Sequence, residues 1–340
     1  MNDQQVFETA ERLYQQGLNK PSLEQYEKIL QHPGYGGIAH FRMGEVYNRM
    51  RDCDQSRYHH YKAFSFDPDL FSKILPKELP HRTYQHKPLN LISQEVCPLC
   101  GQEAQALRCY NTGVSYDFTP GFDPVRVWMY CEPCSHYFAH NRPSNLESVL
   151  KDTKMTSTIT ADPKAFAEEC KILKRIMSFT NGSKILEVGS GVGEFAGVAL
   201  ELLYDIECIE IRSYYARLLE QKLQIKVHRS DFFDFDTDGK YDVIVMGDVL
   251  EHFIDPILAL KKVYRLLNKE GVFWLSTPNF QSAHTRLLDD SDPMWRVCEH
   301  LQFFSYVGLR KILVETGFEV LDYQVSTRYN GSMEICARKI

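Results

Sequence analysis

The chain has 340 residues, 44% of them hydrophobic and 25% charged, with a formal net charge of −6. That length accommodates two or three modules with at least one substantial core, and the ordinary globular composition excludes a low-complexity or disordered chain. A negative balance gives no electrostatic reason to bind DNA or an anionic membrane, because nucleic-acid affinity rests on clustered Lys and Arg. The amino terminus, Met1-Asn2-Asp3-Gln4-Gln5, lacks a basic region leading into an apolar run. No stretch reaches the ~20 apolar residues that cross a bilayer, so a cytoplasmic protein is expected. In that reducing compartment the ten cysteines read as free thiols, metal ligands or catalytic groups rather than disulfides.

Residues 1–80 carry a helical polar-apolar pattern, broken most clearly at Pro33-Gly34-Tyr35-Gly36-Gly37, and short paired helices are expected. The stretch from Ala39 to Pro68, with Phe41, Met43, Gly44, Tyr47, Ala63 and Phe66-Asp67-Pro68, resembles a tetratricopeptide repeat. A weaker copy, Tyr26 to Leu30 and on to Pro33, precedes it, and Pro33 to Pro68 spans 35 residues against the ~34-residue period of that repeat. The resemblance implies a surface for a protein partner or self-association; the plainer alternative is a helical cap on the rest of the chain. Two repeats are few, so they are expected to pack on something else.

Residues 90–145 change to short strands punctuated by Cys, Gly and Pro, including the alternating run Val125 to Tyr130 that leads into Cys131. Cys97-Pro98-Leu99-Cys100 and Cys131-Glu132-Pro133-Cys134 are two C-x2-C pairs separated by 30 residues. Four thiolates on two tight knuckles can surround a tetrahedral structural zinc ion, with Gly101 suited to the first turn. A redox pair or simple buried thiols are the alternatives. His136 reads as a packed or solvent-facing histidine, since four thiolates already complete the set. The region resembles the zinc ribbon that fronts some bacterial methyltransferases, which implies a structural role with substrate contact possible.

A polar, Thr-rich stretch around Lys151 to Asp162 reads as a linker, and residues 160–340 then alternate strand-like and amphipathic helical runs, the pattern of a doubly wound α/β domain. Expected strands are Lys184–Val188, Ile206–Ile209, Ile225–His228, Tyr241–Met246, Gly271–Ser276, Phe318–Tyr323 and Ser332–Ala337. The first runs into Gly189-Ser190-Gly191-Val192-Gly193, where glycines let a ligand approach the backbone at the carboxyl end of a strand. A dinucleotide fingerprint counted from Gly189 would need a glycine at Glu194 and does not have one. The spacing instead resembles the class I S-adenosylmethionine-dependent methyltransferase pattern, an acidic residue, Glu187, followed by Gly189, Gly191 and Gly193. Its companions follow in order: Glu210 ends the second strand 17 residues after Gly193, and Ser230-Asp231-Phe232 follows the third.

The resemblance covers residues 163–340 and implies a Rossmann-like seven-stranded sheet. It assigns the ribose hydroxyls to Glu210, the adenine end to Asp231 and Phe232, and the floor beside the methionine part to the fourth strand's end at Asp248. Ser276-Thr277-Pro278-Asn279 and Glu299 to Ser305 also look like this superfamily. A sulfonium already makes its methyl group electrophilic, so the protein has mainly to align an acceptor and exclude water. For a hydroxyl acceptor a base is needed, and a histidine suits it: His252, just past the fourth strand, is the first candidate and His300 the second. Asp248, Glu251, His252 and His300 also resemble the set of metal-assisted RNA 2'-O-methyltransferases, though with Asp as the first acid. The leading expectation is methylation of a hydroxyl on a saccharide or other small metabolite. The rivals are a sugar C-methyltransferase and a non-catalytic scaffold with a degenerate enzyme domain.

Overall fold

The computed structural model describes residues 1–152 and 163–340, so most of the stretch read as a linker lies outside the described residues, with Lys151 and Asp152 closing a helix. Two helix hairpins open the chain: α1 (Asp3–Gln15) with α2 (Asn19–Glu27), and α3 (Gly36–Arg49) with α4 (Cys53–Phe66), followed by the short α5 (Leu70–Ile74). Asn2 starts α1 through a capping box, its side chain accepting from the Gln5 N–H at 2.9 Å while the Gln5 side chain accepts from the Asn2 N–H at 3.0 Å. Close approach of α3 and α4 depends on Gly44, where a Cβ would lie 2.6 Å from the His60 ring. The helices α3 and α4 do not stand free. Asn48 accepts the Cys109 N–H at 2.8 Å, and the Ser56 hydroxyl contacts the Cys109 carbonyl oxygen at 3.2 Å, so the second hairpin lies on the next sheet.

That sheet is built from β2 (Gln105–Asn111), β3 (Val125–Cys131) and β4 (His136–Ala139), while β1 (Leu91–Ser93) and β5 (Asn141–Pro143) form a separate two-stranded ribbon leading into α6 (Leu146–Asp152). Thereafter strands and helices alternate: α7 (Pro163–Met177), β6 (Lys184–Val188), α8 (Glu194–Glu201), β7 (Asp205–Ile209), α9 (Ser213–Lys222), β8 (Lys226–His228), β9 (Tyr241–Gly247), α10 (Pro256–Leu266) and β10 (Leu267–Pro278). Next come α11 (Ala283–Leu288), β11 (Gln302–Phe304), α12 (Tyr306–Glu315), β12 (Phe318–Val325) and β13 (Ser332–Lys339). Seven of these strands form one sheet in the order β12-β13-β10-β9-β6-β7-β8, with β13 antiparallel to both neighbours and the central pairs parallel. The sheet is covered on both faces. Along β9, Val243 and Val245 join the cluster under α7 and α8, whereas Ile244 and Met246 join the one under α10 and α12, which is why the strand reads as a continuous apolar run.

All seven strands of this sheet were legible in the sequence, but β11 was not. It leaves the α/β layer and pairs antiparallel with β4, Phe303 opposite Tyr137 and Phe304 opposite His136, so that the smaller sheet runs β11-β4-β3-β2. The preceding segment brings Trp295, 1% exposed, into one core with Trp128, Tyr110, Phe71 and Phe303. The Trp128 indole N–H donates to the Trp295 carbonyl oxygen at 3.0 Å. No described helix is long and apolar enough to cross a membrane.

Candidate functional site

A cavity of about 500 Å³ opens at the carboxyl ends of β6, β9 and β10, where open α/β sheets leave their ligand crevice. Its floor is the turn after β6, in which Gly189, Gly191 and Gly193 have φ of +74°, +52° and +86°, a run of left-handed backbone open to glycine at no steric cost. At Gly189 a Cβ would lie 2.5 Å from Val249, whereas none of the described residues stands within 4 Å of the same position at Gly191. Glu210 ties the turn to β7: its carboxylate accepts the Gly191 N–H at 3.0 Å and the Arg212 N–H at 2.7 Å. Asp231 accepts the Phe233 N–H at 2.7 Å. Neither carboxylate lines the cavity itself. The Phe232 side chain is 3% exposed and packs on Phe253 and over the Lys262 ammonium, so only its backbone is available to a ligand.

Beneath the turn the carboxyl groups crowd together. Burial, reinforced by the charge of Glu169 and opposed by Arg328, pushes Glu187 up to about 8. Glu169 on α7, 3.4 Å from the Arg328 guanidinium, is pushed up to about 7, again mainly by burial. Asp248 has a left-handed φ of +54°, and both of its carboxylate oxygens are buried with no hydrogen-bond partner among the described residues. Such orphaned acceptors are costly unless a ligand satisfies them. S-adenosylmethionine carries a sulfonium and an ammonium against one carboxylate, and an excess of acid over base around an open glycine turn fits that charge. The zinc expectation also fits: the ligand atoms of Cys97, Cys100, Cys131 and Cys134 lie within 4.8 Å of one another, Cys100 and Cys131 3.6 Å apart. Sulfurs arranged tetrahedrally about one zinc would be separated by about 3.8 Å. His136 stands beside this set, its Nδ1 3.9 Å from the Cys97 sulfur and its ring stacked between Phe138 and Phe304.

The far wall holds both histidines. His252 Nδ1 lies 3.0 Å from the Glu299 carbonyl oxygen, which fixes the hydrogen on Nδ1 and leaves Nε2 as the acceptor. The His300 ring stands edge-on to it with centroids 4.9 Å apart, and His300 Nε2 is 3.9 Å from a Glu251 oxygen. Burial lowers both imidazoles, His300 well below its usual value, and holds them neutral at neutral pH. Glu251 accepts from the Thr277 hydroxyl at 3.0 Å, and burial raises its carboxyl well above the ordinary range. The ligand atoms of Glu251, His252 and His300 also lie within 4.8 Å of one another.

Several lining residues carried no sequence signal. Asp117 to Pro120, from the loop between β2 and β3, close the cavity from the side of the smaller sheet, and Met294 and Val297 come from the segment before β11, just ahead of the Glu299 that the sequence did single out. The Thr119 hydroxyl donates to Glu299 at 2.7 Å, and Glu299 is ion-paired with Arg212. Glu169, Arg212 and Arg328 reach the cavity from elements far apart in the chain, a juxtaposition without a local motif.

Residues 162–323 match the family described as Methyltransferase domain. None of the curated proteins matches the chain. Among solved structures, magnesium protoporphyrin IX methyltransferase from Synechocystis PCC 6803, with S-adenosylhomocysteine bound, is 17% identical; the match covers 54% of this chain and 90% of that one at a TM-score of 0.45. A putative methyltransferase from Bacillus halodurans C-125 is 14% identical over 51% of this chain and 99% of its own, with a TM-score of 0.43. The 1,6-didemethyltoxoflavin-N1-methyltransferase of Burkholderia thailandensis is 18% identical over 52% and 79%, with a TM-score of 0.42. These likenesses concern the fold of about half of the chain. The family match and the sheet order define a class I S-adenosylmethionine-dependent methyltransferase domain. The chain is accordingly an S-adenosylmethionine-dependent methyltransferase.

Proposed function

We propose that the protein transfers the methyl group to a hydroxyl of a saccharide or other small metabolite, with His252 as the general base and His300 beside it. The observation that carries this is the neutral, oriented imidazole of His252 lining the same cavity as the glycine turn. In this reading Gly189, Gly191 and Gly193 cradle S-adenosylmethionine, Glu210 accepts the ribose hydroxyls, Asp231 and the Phe232 backbone meet the adenine, and Glu187 and Asp248 face the methionine end. When bound, that cofactor supplies a methyl group already activated for displacement. The acceptor hydroxyl gives its proton to His252 Nε2 as its oxygen takes the methyl, leaving S-adenosylhomocysteine, an O-methyl product and a protonated imidazole that returns its proton to solvent.

The reading is tested by calorimetric titration with S-adenosylmethionine and by a one-methyl mass increase on a candidate acceptor. His252→Asn should lower turnover by roughly 10²–10⁴-fold while leaving cofactor affinity nearly unchanged, and full turnover in that variant would remove the base role. The close set Glu251, His252 and His300 favours a second reading, in which these residues hold a divalent cation that helps ionise the acceptor. Activity that survives dialysis against EDTA, with one zinc still counted per chain, would exclude it.

The four cysteines are assigned to a structural zinc ion in the same proposal. The helix hairpins fit a tetratricopeptide-like reading, and the burial of α3 and α4 on β2 supports a cap on the smaller sheet. That leaves α1 and α2 as the hairpin for a partner or a second copy. Four thiolates kept available for metal suit a cytoplasmic location.

A further inference from the structure

We propose that the four-cysteine centre positions His300 and Glu299, so that metal occupancy sets the geometry of the acceptor wall while leaving the cofactor half alone. This rests on the reading of His300 as part of the transfer site and goes beyond it, because it couples that site to a centre assigned only a structural role.

The connection is short and made of named contacts. Cys131 ends β3 and Cys134 lies in the turn to β4, so two of the four thiols sit on one hairpin, with Cys131 opposite His136 in the ladder. The β4 strand then carries β11: Phe304 pairs with His136, Phe303 with Tyr137 and Gln302 with Phe138. Where the strand pairing ends, the Ala139 N–H donates to the Leu301 carbonyl oxygen at 2.8 Å. The β3 strand adds a second hold, since the fully buried Arg126 guanidinium donates to the carbonyl oxygens of His300, at 3.2 Å, and Cys298. On the other side, the Leu301 N–H donates to the Glu251 carbonyl oxygen at 2.8 Å, and His252 holds the Glu299 carbonyl oxygen. Residues 298–301 are thus clamped between the cysteine hairpin and the end of β9.

The knuckle is also fastened to the α/β layer directly. The Ser135 carbonyl oxygen accepts the Ser305 hydroxyl at 2.7 Å, and the Ser135 hydroxyl accepts from the Gln281 side chain at 3.0 Å. At Gly308, at the start of α12, a Cβ would lie 2.3 Å from the Cys134 carbonyl oxygen. A knuckle free to open would release β4 and with it the pairing that fixes β11, since two short strands hold only a few ladder bonds. By contrast, Gly189 to Gly193 and Glu210 hang on β6 and β7, which pair with each other and with β9 and β8 in the larger sheet. A short ladder to the metal hairpin and a long one to the cofactor half predict that the two halves respond separately.

The test begins with whole protein stripped of metal by a chelator, its metal content checked by mass spectrometry, and hydrogen exchange followed by peptide. Exchange of the amides at residues 299–304 should speed by at least about tenfold, with β6 and β7 protection and S-adenosylmethionine affinity unchanged and zinc restoring the original pattern. Unchanged exchange at residues 299–304 in metal-free protein would overturn the proposal, as would equal loss of protection throughout the large sheet.

Because stripping can unfold a small metal module, Gly308→Ala gives a second route that keeps all four thiols and the cavity lining. Pressing on the Cys134 carbonyl, it should shift the imidazole resonances of His300, assigned with His300→Asn, and perturb the visible bands of the cobalt-substituted centre, with cofactor affinity within twofold of the parent. Shifted cobalt bands with unmoved His300 resonances would show that the centre is structural only. Absence of cofactor binding in the parent protein would instead sink the methyltransferase reading, and the exchange experiment would still decide whether metal holds β11.

Discussion

At Glu187 the burial of a carboxyl group makes a solution prediction. Between the ordinary value near ~4.3 and about 8, the folded protein holds a proton that the unfolded chain has released, so this group's contribution to stability falls as pH rises through that window. A net cationic ligand favours the ionised form, so binding of S-adenosylmethionine near pH 7 should release protons, and its affinity should rise with pH toward about 8. Calorimetric enthalpies at pH 7 in phosphate and in Tris should therefore differ, and equal enthalpies would contradict the assignment. Gly191→Arg should abolish cofactor binding, because its side chain would project into the space that opens beside the turn and the backbone there is left-handed. Glu210→Ala should weaken binding by roughly 10- to 100-fold, the scale of one charge-assisted interaction, as it removes the partner of the Gly191 N–H and the acceptor proposed for the ribose. These residues were legible in the sequence because a strand, a glycine turn and a strand-end acid are local patterns. Glu169 and Arg328 were not, because they meet Glu187 only after the sheet is assembled.

Among the elements, the segment from α11 to β11 departs most from what periodicity could suggest. Three residues are too few to show alternation, and β11 pairs with β4 of the smaller sheet, a strand more than 150 residues earlier in the chain. What recruits it is a charged and aromatic anchor. Asp290 accepts from Arg51 at 2.7 Å, Arg108 at 2.8 Å and the Tyr110 hydroxyl at 2.7 Å, while the Arg108 guanidinium lies 4.4 Å from the Trp295 ring centroid. These partners hold the Asp290 carboxyl below the usual range despite its burial, so its contribution is present at neutral pH and is lost as acid protonates it. Because the cluster is partly exposed, Asp290→Ala should cost about 1–3 kcal/mol, read as a lower Tm at pH 7 and a smaller difference at pH 3. Trp295→Ala, in the dry part of the same anchor, should cost about 3–5 kcal/mol in urea unfolding.

At the scale of the whole molecule the three regions read from the sequence share walls. The strands of the α/β layer were foreseeable because each is a buried apolar run followed by a turn and a helix. The cavity's second wall was legible only in part: Glu299 and His300 stood out in the sequence, whereas Asp117 to Pro120 did not, because they reach the cavity from a loop of the smaller sheet. The spacing of the cysteine pairs predicts that their four sulfurs converge, as they do, yet nothing in that spacing says that their hairpin would receive a strand from beyond residue 300. A fragment of residues 160–340 should therefore expose Trp295, Leu301 and Phe303, all at most 3% exposed in the full chain. It should elute as aggregate in gel filtration where the full chain does not; a monomeric, cofactor-binding fragment would show that the smaller sheet is dispensable.

The late arrival of β11 also bears on synthesis. During translation β4 is made more than a hundred residues before its partner, so the smaller sheet must wait with one edge unpaired and the aromatic faces of Trp128 and Tyr137 uncovered. An open edge of that kind is a template for pairing with other chains. A ribosome stalled before residue 302 would hold a chain whose smaller sheet still lacks its edge strand.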